Sequence, residues 1–434
     1  MGKEYKPAVV AIGVGSASVR VLAARESNAG EMEVLSAGSA PSLGVQRGIV
    51  TNAEDAAFAI RAAVEDAKLE GSLKGHVLYV TIGGKHLESL NQSGQAWVSR
   101  SDRIVSDEDV SRAIGASKGI AIADDQQIVH AIPRSFRVDG VLSKRSPIGS
   151  RGANVGAESH IVTGPRPAME RVRKAVRLAS REPDGLIVGS LAAGHALLTQ
   201  EEKDRGSLLI DIGAGTTEVV AYCGGAPFHT VVLPVGGNQI ASDLATLLNT
   251  PTHVAERLYL EEGSVETRGF DIHEEILVRC FGPTGNRIVR RGFLNDVIRA
   301  RVEEIVRMAH LRAREMALDL PFEGRVVLAG GVANLRGLGQ LASESLETSV
   351  RIGSPGMAAG GRPELNDPCY AAVLGVARVG LDSVPEFLPS ERQEASRGIW
   401  RLPQAIFGSS PTGASPKART GVLGLVKEGG LTTS

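Results

Sequence analysis

The sequence predicts an α/β protein with two lobes and a small α+β subdomain inserted into the first. Apolar runs of strand length alternate with segments of helical periodicity along most of the 434 residues. One pattern occurs twice, because residues 12–19 (IGVGSASV) resemble residues 210–219 (IDIGAGTTEV), with Asp211 lying 198 positions after Gly13. A strand that enters a glycine-rich turn and leaves as a second strand indicates a β-hairpin. The repeat therefore predicts two related lobes that face one cleft.

The first lobe begins with a strand pair within residues 9–22. A Thr51-x-x-Glu54 capping box then predicts a helix, and a β-rich run follows at residues 77–82. Residues 84–165 carry short strands and a helix capped by Ser106, and they predict the inserted α+β subdomain. A helix at 168–178 and a strand at 186–188 resume the alternation. The core of the first lobe is thus assigned to residues 1–83 and 166–205.

The second lobe contains the repeated hairpin, a strand at 228–233, helices near 240–248 and 253–260, and a buried strand at 325–328. A long helix is expected from Asn295 to about Leu318, because its apolar residues recur every three or four positions. The predicted division gives residues 206–249 and 306–385 to the lobe core and 250–305 to a cap. Residues 386–434 are rich in Ser, Pro, Gly and Arg and predict a flexible tail.

The composition excludes several classes of protein. The formal net charge is -1, so there is no basic field to bind nucleic acid, and none is expected as a partner. The three cysteines are far apart and form neither a disulfide framework nor a zinc motif, which favours a reducing cytoplasm. No apolar stretch approaches the roughly 20 residues that span a bilayer. Glycine is enriched, at 52 of 434 residues, and this predicts tight turns and loops that approach a ligand.

The repeated hairpins have the chemistry of a phosphate site. Glycine lets backbone N–H groups approach a phosphate closely, and Ser or Thr adds hydroxyl donors. The candidate phosphate-binding residues are Gly15 and Ser16 in the first turn and Gly213, Gly215, Thr216 and Thr217 in the second. Asp211 ends the strand before the second turn, where its carboxylate could hold Mg²⁺ through water, and it is the candidate catalytic residue in that role.

Two further Gly-Gly turns follow predicted strands. Gly236-Gly237 and Gly330-Gly331, the latter followed by Asn334, each lie between a strand and a helix. Such a turn allows close approach to a planar base or a ribose. Together with the two hairpins, these turns predict a nucleotide-binding cleft.

This constellation resembles the actin-like ATPase superfamily and, within it, the bacterial cell-division family FtsA. The resemblance extends over about residues 8–385. The matching segments outside the hairpins are 132–140 (IPRSFRVDG), 147–149 (PIG), 160–163 (HIVT), 197–203 (LLTQEEK), 235–237 (VGG), 301–305 (RVEEI), 329–335 (AGGVANL) and 350–355 (VRIGSP). The insertion at 84–165 lies where this family carries its own subdomain.

The resemblance implies an actin-like fold that binds ATP and Mg²⁺ between its lobes, with Glu256 on the adenosine side. It also implies polymerisation with bound ATP and binding of the C-terminal tail of FtsZ by residues 250–305. The protein would tether the FtsZ ring to the cytoplasmic face of the inner membrane at the division site. It would there recruit later division proteins.

Four positions depart from the pattern of the family or of its superfamily. Gly13 and Gly189 stand where carboxylates are expected, and Ser18 and Tyr259 replace lysines. Hydrolysis needs carboxylates to place the metal and cations to neutralise the phosphates. We therefore expect weak or absent ATP hydrolysis, with binding retained through backbone N–H groups.

The tail contains one segment suited to a membrane surface, residues 397–407 (RGIWRLPQAIF). The candidate anchoring residues are Ile399, Trp400, Leu402, Ile406 and Phe407. Pro403 interrupts a helix there, so a segment that packs on the body or stays disordered is the alternative.

Two alternative functions remain open at this point. One is an active phosphotransferase or ATPase of the same superfamily, which the missing carboxylates disfavour. The other is an adaptor of a membrane assembly such as PilM, which shares the actin-like core and a similar insertion.

Overall fold

The computed structural model describes residues 8–69, 76–143, 146–266, 268–269, 271–282, 285–316, 325–356 and 362–382. The part of the chain before the insertion contains β1 (Val9–Val14), β2 (Ser18–Glu26), β3 (Met32–Pro41), β4 (Val45–Gln46), β5 (Ile49–Val50), α1 (Ala53–Asp66) and β6 (Val77–Ile82). The cap of α1 differs from the predicted capping box. The side chain of Asn52 accepts hydrogen bonds from the backbone N–H groups of Glu54 and Asp55, at 3.0 and 3.2 Å. The Thr51 hydroxyl instead donates to the carbonyl of Gly44, so the predicted cap is wrong by one residue.

The inserted subdomain is a four-stranded antiparallel sheet covered by one helix. Its elements are β7 (Glu88–Trp97), α2 (Asp107–Ser117), β8 (Gln126–Val138), β9 (Val141–Ser143) and β10 (Asn154–Pro165), in the sheet order β7-β10-β8-β9. The predicted cap at Ser106 is confirmed, because its side chain and that of Asp109 form a reciprocal capping box. Val110, Ala113 and Phe136 form a small core between α2 and the sheet.

The close packing of α2 on β7 depends on Gly94. A Cβ atom there would lie 2.5 Å from the carbonyl oxygen of Ala113 and still closer to the amide of Ser117. We expect Gly94→Ala to destabilise the inserted subdomain by about 1–3 kcal/mol, because the helix must move outward.

Gly115→Ala is the matched control for Gly94→Ala. Gly115 lies within α2 and no heavy atom lies within 4 Å of its Cβ position. Because alanine favours helix, this change should leave stability equal or higher. Urea denaturation followed by the fluorescence of Trp97 on β7 measures both variants in a Trp400→Phe background. Equal midpoints would contradict the assigned packing.

The chain then returns to the first lobe and enters the second. The elements up to the second repeat are α3 (Arg166–Ala179), β11 (Gly185–Val188), α4 (Gly189–Leu197) and α5 (Gln200–Arg205). The next are β12 (Ser207–Ile212), β13 (Thr217–Cys223), β14 (Ala226–Leu233), α6 (Gly237–Leu248), α7 (Thr252–Glu262), β15 (Glu275–Arg279), β16 (Asn286–Arg290) and α8 (Arg291–Met316). The last are β17 (Arg325–Ala329), α9 (Leu338–Leu346), β18 (Ser349–Ile352) and α10 (Ala371–Leu381). Short 3₁₀ turns occupy Gly331–Asn334, Pro363–Asn366 and Pro368–Tyr370.

The two lobes share one sheet topology. The first sheet has the order β11-β6-β1-β2-β3, and the second has the order β18-β17-β12-β13-β14 when read from the corresponding edge. In each sheet the two strands of the hairpin pair antiparallel. The first strand of the hairpin also pairs parallel with a later strand, β6 in the first lobe and β17 in the second. The predicted two-lobed α/β fold with an α+β insertion is confirmed, and the repeated hairpins take equivalent places in the two sheets.

Helix α10 packs on a different lobe from the one that the predicted domain division assigned to it. The division placed residues up to 385 in the second lobe, but α10 packs mainly on α4 and on β1, β2 and β6 of the first lobe. Val373, Leu374 and Val376 belong to that lobe's hydrophobic core. Gly375 permits this packing, because a Cβ atom there would meet the backbone of Ala192 in α4. The sequence reading assigned α10 by chain order, whereas its apolar face fits the other lobe.

The inserted subdomain also contacts the second lobe. Side chains of its sheet reach the edge strand β14, where Asn91 donates to the carbonyl of Phe228 at 3.0 Å and Ser89 donates to that of Thr230 at 2.8 Å. The ring of His160 lies 2.9 Å from the hydroxyl of Thr230. The insertion therefore bridges the two lobes. In the described parts of the chain, no helix has the length and apolar character needed to cross a bilayer.

Candidate functional site

The two hairpins face each other across a cavity of about 400 Å³ between the lobes. This volume lies in the range of small-molecule sites. The predicted site residues among its lining are Gly15, Ser16, Asp211, Gly213, Gly215, Thr216, Glu256, Gly330, Gly331 and Asn334. The structure thus brings residues from both repeats and from the turn after β17 into one site.

The two hairpin turns have the same hydrogen bond at equivalent positions. The amide of Gly15 donates to the carbonyl of Ser18 at 3.1 Å, and the amide of Gly213 donates to that of Thr216 at 2.9 Å. The tips are also in contact, because a Cβ atom on Gly215 would lie 2.5 Å from the hydroxyl oxygen of Ser16. Glycine therefore fits this contact between the two hairpins better than a residue with a side chain.

Three predicted nucleotide-binding residues support the second turn from behind and are not among the lining residues. Gly237 donates its amide to the carbonyl of Gly213 at 3.0 Å, and a side chain on Gly236 would collide with the turn's backbone. The Thr217 hydroxyl donates to the carbonyl of Val235 at 2.8 Å. The amides at the start of α6 are thus used to hold the loop.

The turn after β17 is fitted tightly against Asp211. Gly330 has a φ of 83°, and a Cβ atom there would lie 2.6 Å from the carbonyl carbon of Ile212 and still closer to an oxygen of Asp211. No heavy atom lies within 4 Å of the Cβ position of Gly331, which lines the cavity. The amide of Asn334 donates to Asp367 at 2.8 Å, so this side chain organises the rim.

A pair of carboxylates faces the cavity from the second hairpin. Asp211 and Glu218 are paired in the β12–β13 register and both line the cavity. Burial, together with the nearby charge of Glu218, raises the pKa of Asp211 to about 7, and Arg20 partly offsets this. Burial also raises the pKa of Glu218. Two such carboxylates favour a cation between them, because a bound metal compensates for their burial.

Two buried polar atoms of the cavity wall, Oε2 of Glu218 and the hydroxyl of Ser190, accept or donate no hydrogen bond of good geometry among the described residues. The two groups are neighbours, because Ser190 offsets part of the rise that burial causes in the pKa of Glu218. Gly83 gives Glu218 its space, because a Cβ atom there would lie 2.5 Å from Oε1. Buried polar atoms are normally hydrogen-bonded, so these two fit a polar, metal-bearing ligand.

The positions of the missing carboxylates are open. A Cβ atom on Gly13 would lie 3.5 Å from Cβ of Val373, and one on Gly189 would lie 3.8 Å from Thr81, both ordinary contacts. Packing at these two positions therefore does not require glycine.

Glu256 and Tyr259 line the cavity from α7, where the resemblance places the adenosine side. Burial raises the pKa of Tyr259 to about 12, with a smaller contribution from Glu256. The Tyr259 hydroxyl lies 2.6 Å from the Cβ position of Gly237, so this ring fills the space in front of that turn.

Sequence reasoning missed three charged residues of the site, Arg20, Glu218 and Asp367, which all line the cavity. Arg20 and Glu218 occupy the same place in the two hairpins, because Arg20 pairs with Gly13 and Glu218 pairs with Asp211. Extending the repeat by one residue to position 20, at the same spacing of 198, would have found the pair. The predicted membrane residues between Ile399 and Phe407 lie outside the described residues.

The duplicated sheets around one polar cleft define a two-lobed, actin-like fold. Two solved structures of this class share the fold. The PilM–PilN type IV pilus biogenesis complex is 18% identical and matches with a TM-score of 0.63 over 86% of this chain and 98% of that one. MreB5 of Spiroplasma citri bound to AMPPNP is 12% identical and matches with a TM-score of 0.53 over 91% and 99%.

Sequence comparisons identify the family within this class. Residues 208–375 match cell division protein FtsA, and residues 84–163 match the SHS2 domain inserted in that protein. The chain is 30% identical to the cell division protein FtsA of Pseudomonas aeruginosa over 94% of both chains. It is 34% identical to that of Neisseria meningitidis over 84% of this chain and 87% of the relative. The chain belongs to the FtsA family of cell division proteins.

Proposed function

We propose that this chain is a cell-division scaffold that binds FtsZ, tethers the FtsZ ring to the inner membrane and recruits later division proteins. It would act as a polymer with ATP bound in the cleft, on the cytoplasmic face of the membrane at the division site. The observation that carries the proposal is the membership in the FtsA family over most of the chain, combined with a cleft that retains the second hairpin.

The cleft residues fit ATP with Mg²⁺. The glycine turns leave room for phosphates, and Asp211 with Glu218 would hold the metal through water. When bound, the metal neutralises phosphate charge. The carboxylates that we identify come from the second lobe, since Gly13 and Gly189 offer none. We therefore propose binding with little hydrolysis, and a phosphate-release assay should give turnover well below about 1 s⁻¹.

The cap of the second lobe offers a surface for the FtsZ tail. In the hairpin of β15 and β16, Val278 and Val289 face the core. Leu277 and Ile288 pair across the strands and remain 69% and 58% exposed. An exposed apolar pair on an otherwise anchored hairpin is typical of a docking site for a peptide.

We expect Leu277→Asn combined with Ile288→Asn to abolish capture of an FtsZ C-terminal tail peptide. Val141→Asn combined with Leu142→Asn is the matched control, because these residues are also exposed on a short strand but lie in the insertion. If both double variants captured the peptide equally well, the cap would not be the binding site for the FtsZ tail. A pull-down with the unaltered chain also separates this proposal from a PilM-like adaptor, which should not bind the peptide.

The membrane tether is proposed for residues 397–407. In a co-sedimentation assay with liposomes of anionic lipid, the full chain should pellet with the liposomes. A chain that ends at residue 389 should stay in the supernatant. Equal sedimentation of the two would leave the tail without this role. Rapid ATP turnover in the phosphate-release assay would instead support the phosphotransferase alternative.

A further inference from the structure

Arg20 provides the cationic side chain of the cavity. No other lysine, arginine or histidine occurs among the described residues that line it. A bound nucleotide carries several negative charges on its phosphates, and this lining already contains Asp211, Glu218, Glu256 and Asp367. A cation is needed to offset that repulsion, and Arg20 is the side chain in place to do so.

The position of Arg20 follows from the repeat. It pairs with Gly13 across the first hairpin, where Glu218 pairs with Asp211 across the second. The first lobe therefore presents a cation with no acid opposite it, and the second lobe presents two acids. This distribution places positive charge on the side of the cleft that lacks the carboxylate and the lysine expected from the family.

The guanidinium is held without being neutralised. It lies over the ring of Tyr370, 5.2 Å from the ring centroid. Within the described chain, no carboxylate lies at ion-pair distance, 4.0 Å or less, from Arg20. Asp211 and Asp367 are the nearby acids, and Asp367 accepts hydrogen bonds from Asn334 and from the amide of Cys369, each at 2.8 Å. Arg20 also hydrogen-bonds to the side chains of Tyr370 and Cys369. Both of these groups are neutral, so they fix the guanidinium at the cavity without an ion pair that would neutralise its charge.

We propose that Arg20 binds the phosphates of the nucleotide and supplies the charge that the family takes from a lysine at the position of Ser18. This inference rests on the proposed nucleotide binding. Gly13 contributes by leaving Arg20 without a carboxylate opposite it in the hairpin. A guanidinium can donate two parallel hydrogen bonds to a phosphate, which a lysine cannot.

The test is equilibrium binding of ATP and adenosine to the full chain, with Mg²⁺ and separately with EDTA. Arg20→Met removes the charge but keeps an apolar side chain against Tyr370. Arg20→Lys keeps the charge but loses the paired N–H donors of the guanidinium. We expect Arg20→Met to weaken ATP binding by about tenfold to a hundredfold and to leave adenosine binding unchanged. The ATP affinity of Arg20→Lys should lie between that of the unaltered chain and that of Arg20→Met.

Gly13→Asp tests the same inference without altering Arg20. The new carboxylate has ordinary space beside Val373 and stands opposite the guanidinium, so ATP binding in EDTA should weaken while adenosine binding persists. Equal losses for ATP and adenosine in Arg20→Met, or no loss of ATP binding, would overturn the role of Arg20 and leave nucleotide binding intact. If the unaltered chain binds no ATP, the proposed nucleotide site fails together with this inference.

Discussion

Gly330→Ala is expected to disable the cleft and to destabilise the second lobe. The residue has a φ of 83° and a ψ of 174°, a conformation that is essentially confined to glycine and costs other residues about 1–3 kcal/mol. The added methyl group would also collide with Asp211 and with the backbone of Ile212, and overpacking of this kind costs about 1–3 kcal/mol. Because the collision displaces the end of β12, nucleotide binding should be lost together with stability. Urea denaturation and ATP binding measure the two effects.

Gly331→Ala is the control for that change. It adds the same methyl group one residue later, with no heavy atom within 4 Å of the Cβ position. We expect its free energy of unfolding to stay within about 0.5 kcal/mol of the unaltered chain. If both variants were equally stable and bound ATP equally, the fit of Gly330 against Asp211 would be wrong.

Asp211→Asn should have opposite effects on stability and on ligand binding. The pKa of Asp211 is raised to about 7 in the folded chain, compared with about 4 in an unfolded one. Between these values the folded state holds a proton that the unfolded state has lost. Stability therefore falls with rising pH by up to about 1.4 kcal/mol per pH unit, and the loss is complete above about pH 7. The asparagine removes this loss, so the variant should exceed the unaltered chain in stability at pH 8 and not at pH 4.

The same substitution should abolish the part of ATP affinity that depends on Mg²⁺, because it removes a metal-binding charge.

Asp367→Asn is a control for the stability prediction, and its effect on stability should have the opposite sign. Burial alone would raise the pKa of Asp367, but hydrogen bonds from Cys369 and Asn334 outweigh it and lower the pKa. This variant should therefore lose stability at pH 8. The denaturation midpoints of both variants are compared with those of the unaltered chain at pH 4 and pH 8, without ligand. If both midpoints shifted in the same direction at pH 8, the assigned electrostatics would be wrong.

The sequence was sufficient for features determined by local pattern. The two hairpins are defined by glycine turns between apolar runs, and their repetition indicated the duplicated lobes. The cap at Ser106 could be recognised because a helix start uses a few adjacent residues. Asn52 was missed because Thr51 offers an equally plausible pattern, and only the backbone geometry shows which side chain reaches the free amides.

Features that depend on tertiary packing could not be read in this way. Arg20 and Glu218 enter the cavity because of strand register and the direction in which each side chain points. The location of α10 depends on which apolar surface is left uncovered, and the close approach at Gly375 decides it. Gly236 and Gly237 resemble ligand-binding glycines in sequence, but their backbone is used within the fold. The amide of Gly237 donates to the second turn and that of Gly236 donates to the side chain of Gln239. A Cβ atom on Gly236 would meet the second turn, and one on Gly237 would meet Tyr259.

The insertion that hydrogen-bonds to β14 has a mechanical consequence. It is joined covalently to the first lobe at both of its ends, yet Ser89, Asn91 and His160 attach it to the second. A rotation of one lobe relative to the other must therefore either break these contacts or swing the insertion as a lever. In the second case, a movement at the hairpin tips is transmitted along β7 to the end remote from Ser89, where Trp97 lies exposed on the surface.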